Sequence, residues 1–502
     1  MDDKKLNDTE VGDLFKSPND FSLAFARELL KQIVYNPQKS SLRNSYNYSN
    51  YTKENIIKWL QSPANNEKNL RNASIYLYLF SMHYQRLINY YANLPTWAYV
   101  LSPLNFDKTK IEEKKKKDAF RKQYLKVSHN LELLNIPETM RNILNVVLRD
   151  GVYYGIRWSD NSSSFIQKID PDYCRITAIS DGVFLYSVDM SKITGDKLDF
   201  YPPVFKDMAR KYEATGVAYQ EVPADLSVCI KADPTIPDYS VPLFGSVMPS
   251  LYTIANTEAL QETQDELNNY KMVYGKVPVD KDGQPIIPWD LVLKYYQNVS
   301  NALGDQVGLG IAPFDIETVD FESSGGVAEV DIISRSISNF WATAGTSGLL
   351  HGVSNNTAGV TKLAIKNDEN YINGIIGQIE RWFNRYLKTA FSGTIKFKIK
   401  FLPITIYNRE EFIKMYKESV PFGIGKSYYV AALGIPQSDI EGLSYLEDEV
   451  LDFKNNLTPL INSHNASSSD LGDGAQGRPS EDEEDLGDAG EATRDDDTNE
   501  NR

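Results

Sequence analysis

Four carboxylates stand close together in the middle of the chain, Asp170, Asp172, Asp181 and Asp189. Such a set could hold a metal ion or work as an acid/base pair, which makes a carboxylate-dependent hydrolase the enzymatic reading to test. Each of the four falls in a turn signal, however, where Asp is favoured for bonds to its own backbone. Only four histidines are present, and no nucleophile elbow or metal-ligand spacing accompanies the carboxylates. The stretch Gly423-Ile-Gly-Lys-Ser427 has glycines and a lysine but the spacing of neither a P-loop nor a dinucleotide turn, so nucleotide hydrolysis belongs to a partner. Cys174 and Cys229 have no Cys or His at ligand spacing, which argues against zinc and a disulfide framework and for a reduced, intracellular setting. No enzyme activity and no cofactor are expected.

The elements around these residues are built on Gly325 to Leu387, read as two amphipathic helices joined by a short polar loop. In the first, Val327, Val330, Ile333, Ile337, Phe340, Trp341 and Ala344 recur at helical spacing. In the second, Val360, Leu363, Ile372, Ile375, Ile379, Trp382, Phe383, Tyr386 and Leu387 form one stripe, the longest helical pattern in the chain. Between them His351-Gly-Val-Ser-Asn-Asn-Thr357 is a run of turn-formers that reverses the chain.

Upstream, an arm to about Asn19 precedes helices over Phe21–Tyr35, Thr52–Gln61 and Lys68–Tyr91. The last is rich in Tyr and Phe and reads as a core or subunit-contact face rather than a base-stacking platform, which would carry basic neighbours. Lys114 to Lys117 read as a solvated helix face within Lys110–Arg121. A helix over Asn130–Asp150 leads into an antiparallel β segment, Gly151–Trp158, Phe165–Ile169, Tyr173–Ile179 and Gly182–Val188, with Leu226–Lys231 as a further strand. The Pro-rich link Asp233–Pro242 reads as a domain end. Ser246–Tyr270 is a third amphipathic helix, followed by a compact insert: strand Met272–Val279, turn Asp280-Lys-Asp-Gly283, helix Pro288–Leu303, and strands Leu309–Phe314 and Ile316–Phe321. After the long helix, Thr394–Ile406 alternates as a strand with Ile395, Phe397, Ile399 and Phe401 on one face. Asn408 then caps the helix Arg409–Ser419.

At 502 residues and 41% hydrophobic content the chain can fill large cores, with about three domains as the length prior. The net charge of -15 lies about two-thirds in the tail after Asn465, so the body is only mildly acidic. That balance argues against a broad nucleic-acid-binding surface of clustered Lys and Arg, but not against a channel through which DNA slides. The polar, acidic start and the lack of any apolar run near 18 residues argue against secretion and membrane spanning. From Ser467 almost no apolar residue remains, and disorder is expected.

Several stretches, taken in order, carry a resemblance. They are Leu148-Arg-Asp-Gly-Val-Tyr-Tyr-Gly155 followed by Ile169-Asp-Pro-Asp-Tyr-Cys-Arg175; Gly359-Val-Thr-Lys362 leading to Gln378-Ile-Glu-Arg-Trp-Phe-Asn384; and Asn408-Arg-Glu-Glu411 followed by Ala432-Leu-Gly434. A last echo runs from Leu446-Glu447 into Pro459-Leu-Ile-Asn-Ser463 and Gly477-Arg-Pro479 before the acidic tail. Over roughly residues 50 to 480 the chain resembles the portal proteins of tailed bacteriophages, the head-to-tail connectors.

The resemblance implies an α+β, portal-like fold with long stem and tunnel helices, an antiparallel β wing and a small αβ clip insert. Its parts would be a flexible arm 1–19, wing 20–245, stem helix 246–271, clip 272–325, stem helix 326–349, tunnel loop 350–358, long tunnel/wing helix 359–391, wing strand 392–408, crown 409–460 and a disordered acidic tail 461–502. The arm matches no family feature. It further implies a homo-oligomeric ring, a dodecamer in the family, at one capsid vertex of the virion, assembled in the host cytoplasm. Expected partners are the terminase packaging motor, a head-completion adaptor, the major capsid and scaffolding proteins, and double-stranded DNA passing through during packaging and ejection; no membrane is involved. His351, Gly352, Val353, Ser354, Asn355, Asn356 and Thr357 would line the channel, with Lys362 and Lys366 the nearest positive charges. Lys281, Asp282, Lys294, Tyr295 and Tyr296 would dock the motor and connector. The rival readings are another capsid-associated adaptor or scaffold protein and the hydrolase.

Overall fold

The computed structural model describes residues 50–104, 114–159, 163–269, 271–278, 280–281, 286–302, 307–312, 328–345, 358–391, 395–436 and 438–453. Through Ser438 these form one compact unit; those from Asp439 belong to a second. The Pro-rich stretch 233–242 is therefore no boundary between compact units, and Val241 within it packs on the main core.

The first unit opens with helices α1 (Lys53–Leu60), α2 (Glu67–Phe80) and α3 (Met82–Asn93). Thr52 starts α1 as the N-terminal rules require, its Oγ1 accepting from Asn55 N at 3.3 Å. The single aromatic helix expected over Lys68–Tyr91 is two helices, because Ser81 is extended. The break leaves Ser81 bonded: its N donates to Leu77 O and its carbonyl accepts from Gln85 N. Tyr84 and Tyr91 are buried, as a core reading of this stretch requires.

A second boundary also differs from the expectation. Helix α4 runs Lys114–Leu133 and α5 Ile136–Asp150, so residues 130–133 end one helix rather than begin the next. Asn135 turns the chain in the left-handed region (φ 47), which Asn tolerates, and Pro137 sits in the first turn of α5, where a missing N–H is harmless. Lys115, Lys116 and Lys117 are exposed on α4.

Strands β2 (Val152–Ser159), β3 (Ser164–Ile169) and β7 (Ser227–Lys231) form one antiparallel sheet in the order β3-β2-β7. Strands β4 (Cys174–Ser180), β5 (Val183–Asp189) and β6 (Tyr219–Glu221) form another. β2 is buried on both faces: Tyr153 joins the main core, while Val152, Tyr154 and Ile156 join a second core with β5 and helix α6 (Pro203–Thr215). The sequence reading assigned no element to α6, although Pro203 at its start and left-handed Gly216 at its end are ordinary helix signals. It also missed β1 (Tyr99–Leu104), which contains Pro103 and pairs antiparallel with β10 (Lys396–Phe401). β1 is an edge strand of this two-stranded sheet, a place where proline is tolerated. In β10 the alternation holds, with Phe397, Ile399 and Phe401 buried.

Helices α7 (Met248–Asn269) and α9 (Ala328–Ala344) pack on each other and enclose an insert. In it, β8 (Lys271–Lys276) pairs in parallel with β9 (Val307–Ala312), and α8 (Trp289–Ala302) makes the crossover between them. The strand expected over Ile316–Phe321 lies outside the described residues. Helix α10 (Ala358–Ala390), 33 residues and about 50 Å long, is followed after β10 by α11 (Arg409–Ser419) and α12 (Lys426–Ala432). The second unit contains α13 (Asp439–Tyr445) and one π-helical turn, Leu446–Val450.

Candidate functional site

The two halves of α10 are held by different chemistry. From Ile372 onward its apolar stripe is embedded in the main core, with Ile372, Ile375, Ile379, Trp382, Phe383 and Leu387 all buried. Polar side chains flanking that stripe satisfy strand edges. Gln378 Nε2 donates to Lys231 O (2.9 Å) and Trp382 Nε1 to Ser227 O (2.8 Å), both on β7. Glu380 Oε2 accepts from Phe401 N (2.9 Å), and Asn384 both accepts from Ile399 N (2.8 Å) and donates to Ile399 O (3.1 Å) on β10. One helix thus pairs the open edges of two sheets, supplying partners to backbone groups that would otherwise be buried unpaired.

The N-terminal half is tied by polar contacts. Leu363, expected on the buried stripe, is 69% exposed. The face that turns inward carries Asp368 and Glu369 instead, both buried. Asp368 accepts from Tyr90 and Tyr91 hydroxyls at 3.0 Å each, and Glu369 accepts from Thr405 Oγ1. Burial pushes the Asp368 carboxyl above its ordinary range, against the pull of the two tyrosine hydrogen bonds. The sequence reading missed this clamp, although Ile365, Asp368, Glu369 and Ile372 share the three-and-four spacing that announces an inward face.

Lys362 and Lys366 stand on the exposed side of this half. Lys362 is paired with Glu411 of α11, and both lysines line a groove with Thr361, Tyr407 and Asn408. Asn408 occupies the cap position of α11 but turns its side chain back, accepting from Thr405 N at 2.7 Å rather than capping the helix. The loop residues His351, Gly352, Val353, Ser354, Asn355, Asn356 and Thr357 lie outside the described residues.

On the insert, Lys281 and Lys294 are exposed, Tyr295 is exposed and Tyr296 half-buried, while Asp282 lies outside the described residues. Val292 packs inward, but Leu291, Leu293 and Val299 of the same helix face solvent.

The carboxylates that opened the enzymatic reading are engaged in turns and ion pairs. Asp170 Oδ1 accepts from Asp172 N (3.0 Å) and Asp189 Oδ1 from Ser191 N (3.0 Å). Asp172 pairs with Lys68 (2.7 Å) and Arg71 (2.8 Å), and Asp181 with Lys388 (2.9 Å). Among the described residues no group of three or more His, Cys, Asp or Glu is placed to hold a metal ion, and no helix is long and apolar enough to cross a membrane. Cys229 is buried and Cys174 half-buried, and burial raises both thiols above their ordinary range, away from nucleophilic reactivity.

No protein-family model matches the sequence, and no curated protein matches it. Among solved structures, a chain from the neck of an empty GTA particle, computed with C6 symmetry, is similar at TM-score 0.41 and 12% identity, over 72% of this chain and 94% of that one. A chain from the neck of a native GTA particle, computed with C12 symmetry, is similar at TM-score 0.39 and 12% identity, over 72% and 93%.

Proposed function

We propose that this chain is the subunit of a portal ring at one vertex of a phage-like capsid, the channel for double-stranded DNA during packaging and ejection and not an enzyme. The observation that carries the reading is the pair α7 and α9, packed on each other and presenting the small α/β insert between them. In this arrangement a single chain leaves large apolar side chains in water: Leu260 on α7, Ile332 on α9, Leu363 on α10, and Leu291 and Leu293 on α8. Apolar surface spread in this way along elongated helices calls for cover by further protein. Copies of one chain provide it by heterologous contacts that close into a ring.

In this reading α7 and α9 are the stem, the insert is the clip that docks the terminase motor and then the head-completion adaptor, and α10 is the tunnel helix. The loop 350–358 then projects to the axis. Ser354, Asn355, Asn356 and Thr357 offer neutral hydrogen bonds that form and break easily on phosphates, whereas a ring of free Lys or Arg would grip DNA by counterion release. The pairing of Lys362 with Glu411 supports this, because it neutralises a positive charge on the first turns of α10. Residues 409–460 would be the crown, facing the capsid interior with its scaffolding and major capsid proteins.

Electron microscopy of the purified protein is the test. Closed rings with a central channel are expected; a protein that stays monomeric across a wide concentration range in light scattering would remove the reading.

A further inference from the structure

Between α11 and α12 the chain makes a turn, Val420–Phe422 and the residues after it, that holds two large apolar side chains in solvent. Phe422 is 82% exposed and Ile424 69%. The turn is constructed rather than loose. Gly423 (φ 78) and Gly425 (φ 76) are both left-handed, and Gly423 N donates to Val420 O at 2.8 Å. Ser419 Oγ donates to Tyr416 O at 2.7 Å, fixing the base of the turn. Two residues of that conformation in so short a stretch require glycine, so the display of Phe422 and Ile424 is built into the backbone. Exposed, rigidly held apolar side chains mark a contact surface.

At the opposite end of the seven-residue α12, Ala431 and Ala432 wall a cleft of about 290 Å³, with Trp97, Ile136, Pro137 and Ile435 among its other sides. Small-molecule pockets begin at roughly 300 Å³, so the cleft lies at the small end of that range and has room for one aromatic side chain. Its Trp97 sits in the left-handed region (φ 59), a costly conformation for so bulky a residue, and the buried Trp97 Nε1 has no hydrogen-bond partner among the described residues. The apolar knob and the apolar cleft thus lie at the two ends of one helix about 10 Å long, which holds them apart within a copy.

We infer that the knob of each copy seats in the cleft of the next, with Phe422 entering beside Ile435 and Pro137. The contact is heterologous, the same two patches repeated around an axis, and it rests on the proposed ring. It assigns the Phe422 turn of the crown region, and the cleft lined by Trp97, Ile136 and Pro137 of the wing region together with α12, as a subunit interface.

Cysteine cross-linking tests it. In a Phe422→Cys, Ile435→Cys variant, mild oxidation is expected to give a ladder of reducible multimers in denaturing gels. An equal mixture of the two single variants should give dimers, and neither single variant alone should exceed the wild-type background. Rings in micrographs without these cross-links would overturn the contact while leaving the ring; absence of rings from the wild-type protein would remove both. As a second measurement, Phe422→Ser, a change at an exposed position, should raise the concentration for half-assembly about tenfold or more. Unchanged assembly of that variant would equally overturn the proposal.

Discussion

The carboxyl of Asp150 has no solvent exposure and sits between Arg149 Nε at 2.6 Å and Lys168 Nζ at 2.7 Å, at the joint where α5 enters β2. Burial alone would push its pKa up; Lys168 and Arg149 outweigh burial and hold it below the ordinary carboxylate range. A carboxyl with a depressed folded-state pKa contributes stability that is complete above its unfolded value of about 3.9 and is lost as pH falls through the lower folded value. Asp150→Asn removes the charge and leaves two partly solvated cations, so it should cost about 2–3 kcal/mol at neutral pH. In thermal melts the gap between wild type and variant should be widest near pH 7 and close below about pH 4. A gap that persisted in acid would show that packing, not the ion pairs, gives Asp150 its place. Next to it Gly151 is left-handed (φ 87), and a Cβ there would lie 2.3 Å from Val241 O, so the joint admits no side chain. Asp150 and Gly151 of the echo Leu148–Gly155 thus serve the fold.

At the scale of elements, α10 is what makes one body out of separate sheets. The echo Gln378–Asn384 contains the side chains that do so, Gln378 and Trp382 on β7 and Glu380 and Asn384 on β10. Asn384→Ala leaves both the N–H and the C=O of buried Ile399 without the amide that pairs them, which should cost about 2–3 kcal/mol. Hydrogen exchange at Ile399 should speed up relative to β2, whose amides bond to β3 and β7. Equal protection at Ile399 in variant and wild type would mean that water or another group replaces Asn384. The N-terminal half of α10 has its own attachments, Asp368 to Tyr90 and Tyr91, Glu369 to Thr405, and Lys362 to Glu411, and these are what orient the helix leading out of the loop.

For the whole molecule, the proposed ring makes the loop between α9 and α10 the region that meets DNA. Replacing Ser354, Asn355 and Asn356 by bulky residues should leave ring assembly intact and block or slow packaging. The readouts are rings in micrographs and packaged DNA protected from nuclease; normal packaging by such rings would take the loop out of the channel. Much of this organisation was legible in the amino-acid sequence. The helix pair around an α/β insert, the long helix, the β segment after Asp150 and the Phe397, Ile399 and Phe401 face all follow from periodicity, because burial on one face repeats at the period of the element. The turn roles of Asp170 and Asp189 follow from local backbone chemistry. What the tertiary structure decided is which distant groups meet. The break at Ser81 carries neither Pro nor Gly, because an extended Ser joins the two helices with its own N–H and carbonyl both bonded. Proline in β1 reads as a strand breaker until the strand is known to lie at an edge. Asp368 and Glu369 look like solvated helix residues until Tyr90, Tyr91 and Thr405 arrive from far along the chain to satisfy them. A sequence states the period of each element and the chemistry of each side chain; the partners of a buried polar group are set only when elements pack, because the bond exists only in that arrangement.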